Sequence, residues 1–235
     1  MTFNEVKNNG NQSMKWLKSR IRGLIKRIPR KLRHNRFKKV VVKNSDVSIL
    51  CNCCIGGTMY NDLGMRFLSP TINLYFGHHG FIDWVNHFDE YRDAELVDTG
   101  AFEINENGGH GPICILQKDG LPAVEIHFLH YNSYEEAKQK WFERYERINP
   151  NKIFCVIEAM AEHEHGLIDE YAELPYNKII FTDLPTVSEK SVLHMHFYDK
   201  YKKRKSVTGF INLFGKRGYD EYDFANEIFN RSYRD

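Results

Sequence analysis

Ser48-Ile49-Leu50-Cys51-Asn52-Cys53-Cys54-Ile55-Gly56-Gly57-Thr58-Met59-Tyr60 is the stretch that decides the fold. An apolar, β-branched run, Val40 to Val42 and then Val47 to Leu50, leads into it. Such a run predicts a buried strand. It ends at Gly56-Gly57, where the backbone can turn without a Cβ clash. A thiol at a strand's C-terminal end, followed by two glycines, stands where open α/β sheets place their ligands.

Outward from this stretch, apolar runs alternate with capped helical segments. Strands are predicted at 47–51, 72–76, 124–129, 153–157 and 178–182. The last apolar run, 192–198, alternates like an edge strand. Asp119-Gly120 between two β-rich runs predicts a hairpin. Ser133-Tyr134-Glu135-Glu136 reads as a capping box opening a helix that Asn149-Pro150 stops. Residues 81–91 and 219–229 read as helices, and 92–112 as loop with short extended pieces. This alternation predicts an α/β fold: a parallel or mixed sheet with helices on both faces. Residues 40–235 form one α/β domain in this reading, with room for two subdomains.

Ahead of it lies a different object. Of 33 basic residues, twelve fall between Lys15 and Lys39, where there is no Asp or Glu. The rest carries 21 basic against 31 acidic residues. After a polar, Asn-rich start that reads as disordered, Trp16, Leu17, Ile21, Leu24, Ile25 and Ile28 recur at helical spacing. Residues 1–39 therefore divide into that start and a basic amphipathic N-terminal helix. Such a helix suits an anionic membrane surface, each Lys or Arg contributing about 1 kcal/mol. Packing on its own domain is the alternative. No nucleic-acid motif is present, so nucleic acid is not an expected partner. The first ten residues are polar and five cysteines are an odd set, which points to free thiols in a reducing compartment.

Three constellations could carry chemistry. Cys54 with His127 and Glu125 could form a nucleophilic site, since an imidazole beside a thiol lowers its pKa. On the 124–130 strand Glu125 and His127 share a face, and His130 falls on the other unless the strand has ended. Asn52, Gly56, Gly57, Tyr60 and His130 would line the substrate, with glycine N–H groups facing an oxyanion or phosphate. The alternative is that Cys54 only fills space. Cys51, Cys53 and Cys54 lie on opposite strand faces, which suits a closed metal site badly, and no metal is assigned. Glu158, Glu162, Glu164, Asp183 and Asp199 sit at or just after strand ends as possible acid/base groups. There is no G-x-G-x-x-G, Walker loop or D-x-D, and no motif names a cofactor.

Four segments carry a family resemblance. They are Asn52 to Gly57 with Tyr60, Leu63-Gly64 and Phe67 to Pro70; Glu125 to Tyr131; Trp141 with Arg144, Arg147, Ile148 and Asn149; and Leu174-Pro175 with Lys178 to Thr182. Together they resemble a bacterial family usually labelled exopolysaccharide or capsular polysaccharide biosynthesis protein, a domain of unknown function. The resemblance spans about residues 45–230 and implies work on a sugar or lipid-linked glycan precursor, beside other polysaccharide-biosynthesis enzymes. The expectation is a cytoplasmic protein, peripheral at the inner face of the membrane. It would be a transferase or hydrolase acting through Cys54 and His127, or a non-catalytic accessory or glycan-binding scaffold of the same pathway.

The arm generates its own test. At physiological salt the Debye length is about 8 Å, so charge alone would be screened. The chain should cosediment with anionic vesicles and not neutral ones, with a salt-resistant fraction that Ile21→Ser with Leu24→Ser removes. Equal pelleting with both vesicle types would exclude the electrostatic contribution.

Overall fold

A computed structural model of the chain describes residues 41, 45–77, 79–104, 109–160, 162–185, 190–197, 207–209, 212, 214–230 and 232–233. The basic arm expected over 14–39 lies outside the described residues. Among the described residues, no helix is long and apolar enough to cross a membrane.

The α/β class holds, with the expected strands divided between two sheets. Strands β1 (Ser48–Cys51), β6 (Ile153–Ala159), β7 (Asn177–Thr182) and β8 (Val192–His194) form a parallel sheet in the order β1-β6-β7-β8. Strands β2 (Leu74–Phe76), β3 (Glu95–Ile104), β4 (His110–Gln117) and β5 (Val124–Phe128) form an antiparallel sheet in the order β2-β5-β4-β3. The antiparallel sheet is thus inserted between β1 and β6. Asp119-Gly120 makes the β4–β5 hairpin, with Gly120 at φ 83°. Residues 95–104, expected as loop, are the ten-residue strand β3. Its low-propensity Asp98, Thr99 and Gly100 sit at a register shift between Asp98 and Phe102.

Both faces of the parallel sheet are covered. Ile49, Cys51, Phe154, Val156, Ile179 and Phe181 pack with α1 (Ile55–Leu63) and the C-terminal α6 (Phe224–Phe229). Leu50, Cys155, Ile157 and Ile180 face a second core. There they meet α2 (Gly80–Asn86), α3 (Tyr134–Tyr145), α5 (Ile168–Glu173) and the inner face of the antiparallel sheet. An aromatic chain ties these together: Phe76 to Trp84 at 5.6 Å, Trp84 to Trp141 at 5.6 Å and Trp141 to Phe128 at 5.9 Å. Each such pair adds about 0.5–1.5 kcal/mol beyond its buried area. Ser133 caps α3 by accepting the Glu136 N–H at 3.2 Å, as its sequence predicts.

Two details fix where β1 ends. Its outer edge is closed by side chains: Tyr60 Oη accepts the Ile49 N–H at 2.8 Å, and Thr71 Oγ1 accepts the Cys51 N–H at 3.0 Å. Gly56 and Gly57 then lie inside the first turn of α1, neither with a left-handed backbone. They serve close packing and not the expected turn. A Cβ on Gly56 would fall 2.7 Å from Cys51 Sγ, and one on Gly57 3.2 Å from Ile72 Cγ2.

Gly56→Ala should therefore destabilise the protein. Overpacking costs about 1–3 kcal/mol, against a helix-propensity gain of about 0.5–1 kcal/mol. We expect a net loss near 1–2 kcal/mol by urea unfolding; a variant as stable as wild type would mean the helix can move away freely.

Candidate functional site

The C-terminal edge of the parallel strands carries Asn52 to Cys54 after β1, Glu158 as the penultimate residue of β6, and Asp183 after β7. Asn52, 7% exposed, continues the ladder with its side chain. Its Nδ2 donates to the Glu158 carbonyl at 3.2 Å, and its Oδ1 accepts the Glu158 N–H at 3.0 Å. Its own carbonyl accepts the Phe76 N–H at 3.2 Å, which joins the two sheets. The Glu158 carboxylate accepts from the Cys53 thiol at 3.3 Å and from the Val207 N–H at 3.2 Å. Farther along, His165 Nε2 lies 2.7 Å from Asp183 Oδ1, and Tyr171 donates to Glu164 at 2.6 Å.

Beside Asn52, the antiparallel sheet presents a second cluster. Val124, Ile126 and Phe128 point into the core, so period two sends Glu125 and His127 outward together. His127 Nε2 is 2.8 Å from Glu125 Oε1. Its Nδ1 is 2.9 Å from Oε2 of Glu103, which reaches across β4 from β3. Tyr75, the cross-strand partner of His127, stacks on the imidazole at 4.3 Å and 17°. The Tyr75 hydroxyl donates to the same Glu103 oxygen at 2.7 Å. Burial, then that carboxylate, pushes the Tyr75 hydroxyl well above the usual tyrosine range. Gly77 leaves the space Glu125 needs, since a Cβ there would lie 2.9 Å from Glu125 Oε1.

The structure thus brings Glu125 and His127 together and gives Cys54 a different partner. Cys54 is the residue before α1, and its thiol donates to the Leu74 carbonyl at 3.6 Å. Burial, followed by repulsion from Glu158, pushes the thiol up to about 11; repulsion from Glu103 adds to this. Both ring nitrogens of His127 are engaged by carboxylates. Tyr60 is fully buried and closes the β1 edge, and Asn52 is part of the ladder. His130 follows the end of β5 at φ 63°, and its ring meets His110 at 6.0 Å. Glu103 and Tyr75 complete the cluster without having been expected. Tyr75 is legible as the outward residue between Leu74 and Phe76; Glu103 is not, because Asp98, Thr99 and Gly100 give its strand the composition of a loop. Among the described residues, no group of three or more His, Cys, Asp and Glu is arranged to hold a metal ion.

Comparison with known proteins finds a family described as Domain of unknown function (DUF1919), which matches residues 25–229. The chain is also 27% identical, over 195 residues, to an uncharacterized protein of Haemophilus influenzae. That alignment covers 81% of this chain and 88% of the Haemophilus protein.

All five cysteines are free, and burial pushes each thiol up: Cys54 to about 11, Cys114 and Cys155 to about 12, Cys51 and Cys53 well above the usual range. A raised folded pKa means that the unfolded chain loses its thiol protons first. The thiol contribution to stability should therefore be constant below about pH 8.5 and fall as pH rises toward 11. Urea titrations at pH 7, 9 and 10.5 check this, and Cys→Ser at Cys155 should flatten the slope. Alkylation of native protein at pH 7 should be slow at every site. A fast-reacting Cys54 would contradict the protonated thiol.

Proposed function

The chain belongs to the DUF1919 family, and we propose that it is a transferase or hydrolase of bacterial exopolysaccharide or capsule assembly, with Glu125 and His127 as its proton-handling groups. The observation that carries this reading is the single imidazole held between two carboxylates. Its Nδ1 lies 2.9 Å from Glu103 and its Nε2 2.8 Å from Glu125, so one ring couples a carboxylate on β3 to one on β5. Exposure grades outward: the side chains of His127 and Glu103 are 15% and 22% exposed and that of Glu125 50%. Glu125 is thus the end that a substrate hydroxyl can reach.

In this mechanism a hydroxyl of the acceptor sugar, or water, attacks the activated carbon of the precursor. Its proton passes to Glu125, and the leaving group departs with the electron pair of the broken bond. His127 stabilises Glu125 while it is the anion, and Glu103 with Tyr75 keeps the ring in one orientation. Proton transfer of this kind contributes about 10²–10⁴-fold to rate. Cys54 becomes a wall of the site in place of its nucleophile. With its pKa near 11, on the order of one thiol in ten thousand would be ionised at pH 7. The resemblance of residues 45–230 to polysaccharide-biosynthesis proteins supports the pathway, and the basic arm supports a position at the inner membrane surface, beside lipid-linked precursors and their other enzymes.

The test is complementation in the encoding bacterium. Glu125→Gln and His127→Asn should each cut surface polysaccharide at least tenfold while leaving the thermal midpoint of the purified chain unchanged. Cys54→Ser should retain product. Wild-type polysaccharide with Glu125→Gln and His127→Asn combined would remove the catalytic reading and leave a scaffold.

A further inference from the structure

The opposite edge of the parallel sheet holds a second concavity. A cavity of about 390 Å³ opens where β6 and β7 begin, within the range of small-molecule sites. Asn151, Tyr176, Asn177, Lys178, Ser232 and Tyr233 are among its lining. Tyr176 packs on the core at one face of the sheet and Tyr233 on the core at the other, so the cavity runs under the sheet edge from face to face. It lies at the strands' N-terminal ends, whereas Asn52, Cys54 and Glu158 mark their C-terminal ends.

The chemistry of the lining selects a ligand class. Lys178 carries the one formal charge among the described lining residues. Its ammonium donates to the Ala172 carbonyl at 2.6 Å, and that bond uses one of three protons. The neighbouring cavity beside Ile82 and Leu174 is lined by Asp169, Glu170 and Glu173, and so has the opposite sign. Two tyrosines offer flat apolar surface. The Asn151 amide offers a donor and an acceptor, and Asn177, which donates one Nδ2 proton to the Ser232 carbonyl at 3.4 Å, keeps its second proton and its oxygen for vicinal hydroxyls. We propose that this cavity binds an anionic sugar residue, a pyranose bearing a carboxylate, with the carboxylate toward Lys178 and the hydroxyls toward the two asparagines. The inference rests on the surface-polysaccharide reading and gives the protein a second hold on a glycan, away from the proton-handling groups.

Ligand-observed NMR and calorimetry on the full chain test it, with cellobiouronic acid as the anionic probe and cellobiose as its neutral counterpart. The expected result is saturable binding of the uronate with Kd about 1 mM or tighter, and of cellobiose at least tenfold weaker. Lys178→Met should bring the uronate down to the neutral level. Asn151→Ala, at an exposed position that does not threaten the fold, should weaken both probes severalfold. His127→Asn should bind both like wild type. No saturable binding of either probe, equal affinity for the two, or loss of binding in His127→Asn would each overturn the proposal. The complementation result for His127 stands independently of all three.

Discussion

Asn52 is hydrogen-bonded into both sheets at once, and the arrangement of the site depends on it. Its side chain pairs with the main chain of Glu158, and its carbonyl takes the Phe76 N–H. All of this happens at a residue that is 7% exposed. An amide buried there without those partners would cost about 1–3 kcal/mol for each unmet group. The end of β1 is therefore held against the end of β6 on one side and against β2 on the other. That sets Cys53 against Glu158 and Cys54 against Leu74, and it brings Tyr75, with its partner His127, to the edge of the parallel sheet. The two clusters of carboxylates and imidazoles owe their proximity to one side chain that is itself unreactive.

The core of the fold was legible because it is written in short-range terms. Ile153 to Ile157 and Lys178 to Thr182 are apolar runs of strand length, and Asp119-Gly120 demands a hairpin whatever surrounds it. The division into two sheets was not legible. Residues 72–76 and 124–129 look like the other strands, and only pairing, which is long-range, assigns them to an antiparallel sheet. β3 was hidden for a different reason. Asp98, Thr99 and Gly100 are poor strand formers, and the bulge that accommodates them is stabilised by β4 rather than by their own preference.

The site shows the same split. Alternation along β5 is local, so the pairing of Glu125 with His127 could be read from spacing. Cys54 drew attention through its neighbours in sequence, two glycines and a strand end. The glycines turn out to be inside a helix, where they let it approach Cys51 and Ile72. Glu103 is far from His127 in sequence and reaches it across an intervening strand, so no spacing rule could have found it. Burial also reverses the expected electrostatics of Cys54. A helix start favours a thiolate, but desolvation and the Glu158 charge act the other way and win.

The closed edge of β1 has a consequence for assembly. A border strand normally offers a row of unpaired amides, which another polypeptide can extend. Here Tyr60 and Thr71 already occupy the Ile49 and Cys51 amides, both through side chains fixed in the interior. The opposite border, β8, is three residues long. Among the described residues the parallel sheet has four strands. Its β1 border resists templated stacking and fibril growth along the hydrogen-bonding direction, and strand exchange there would first have to uproot a buried tyrosine.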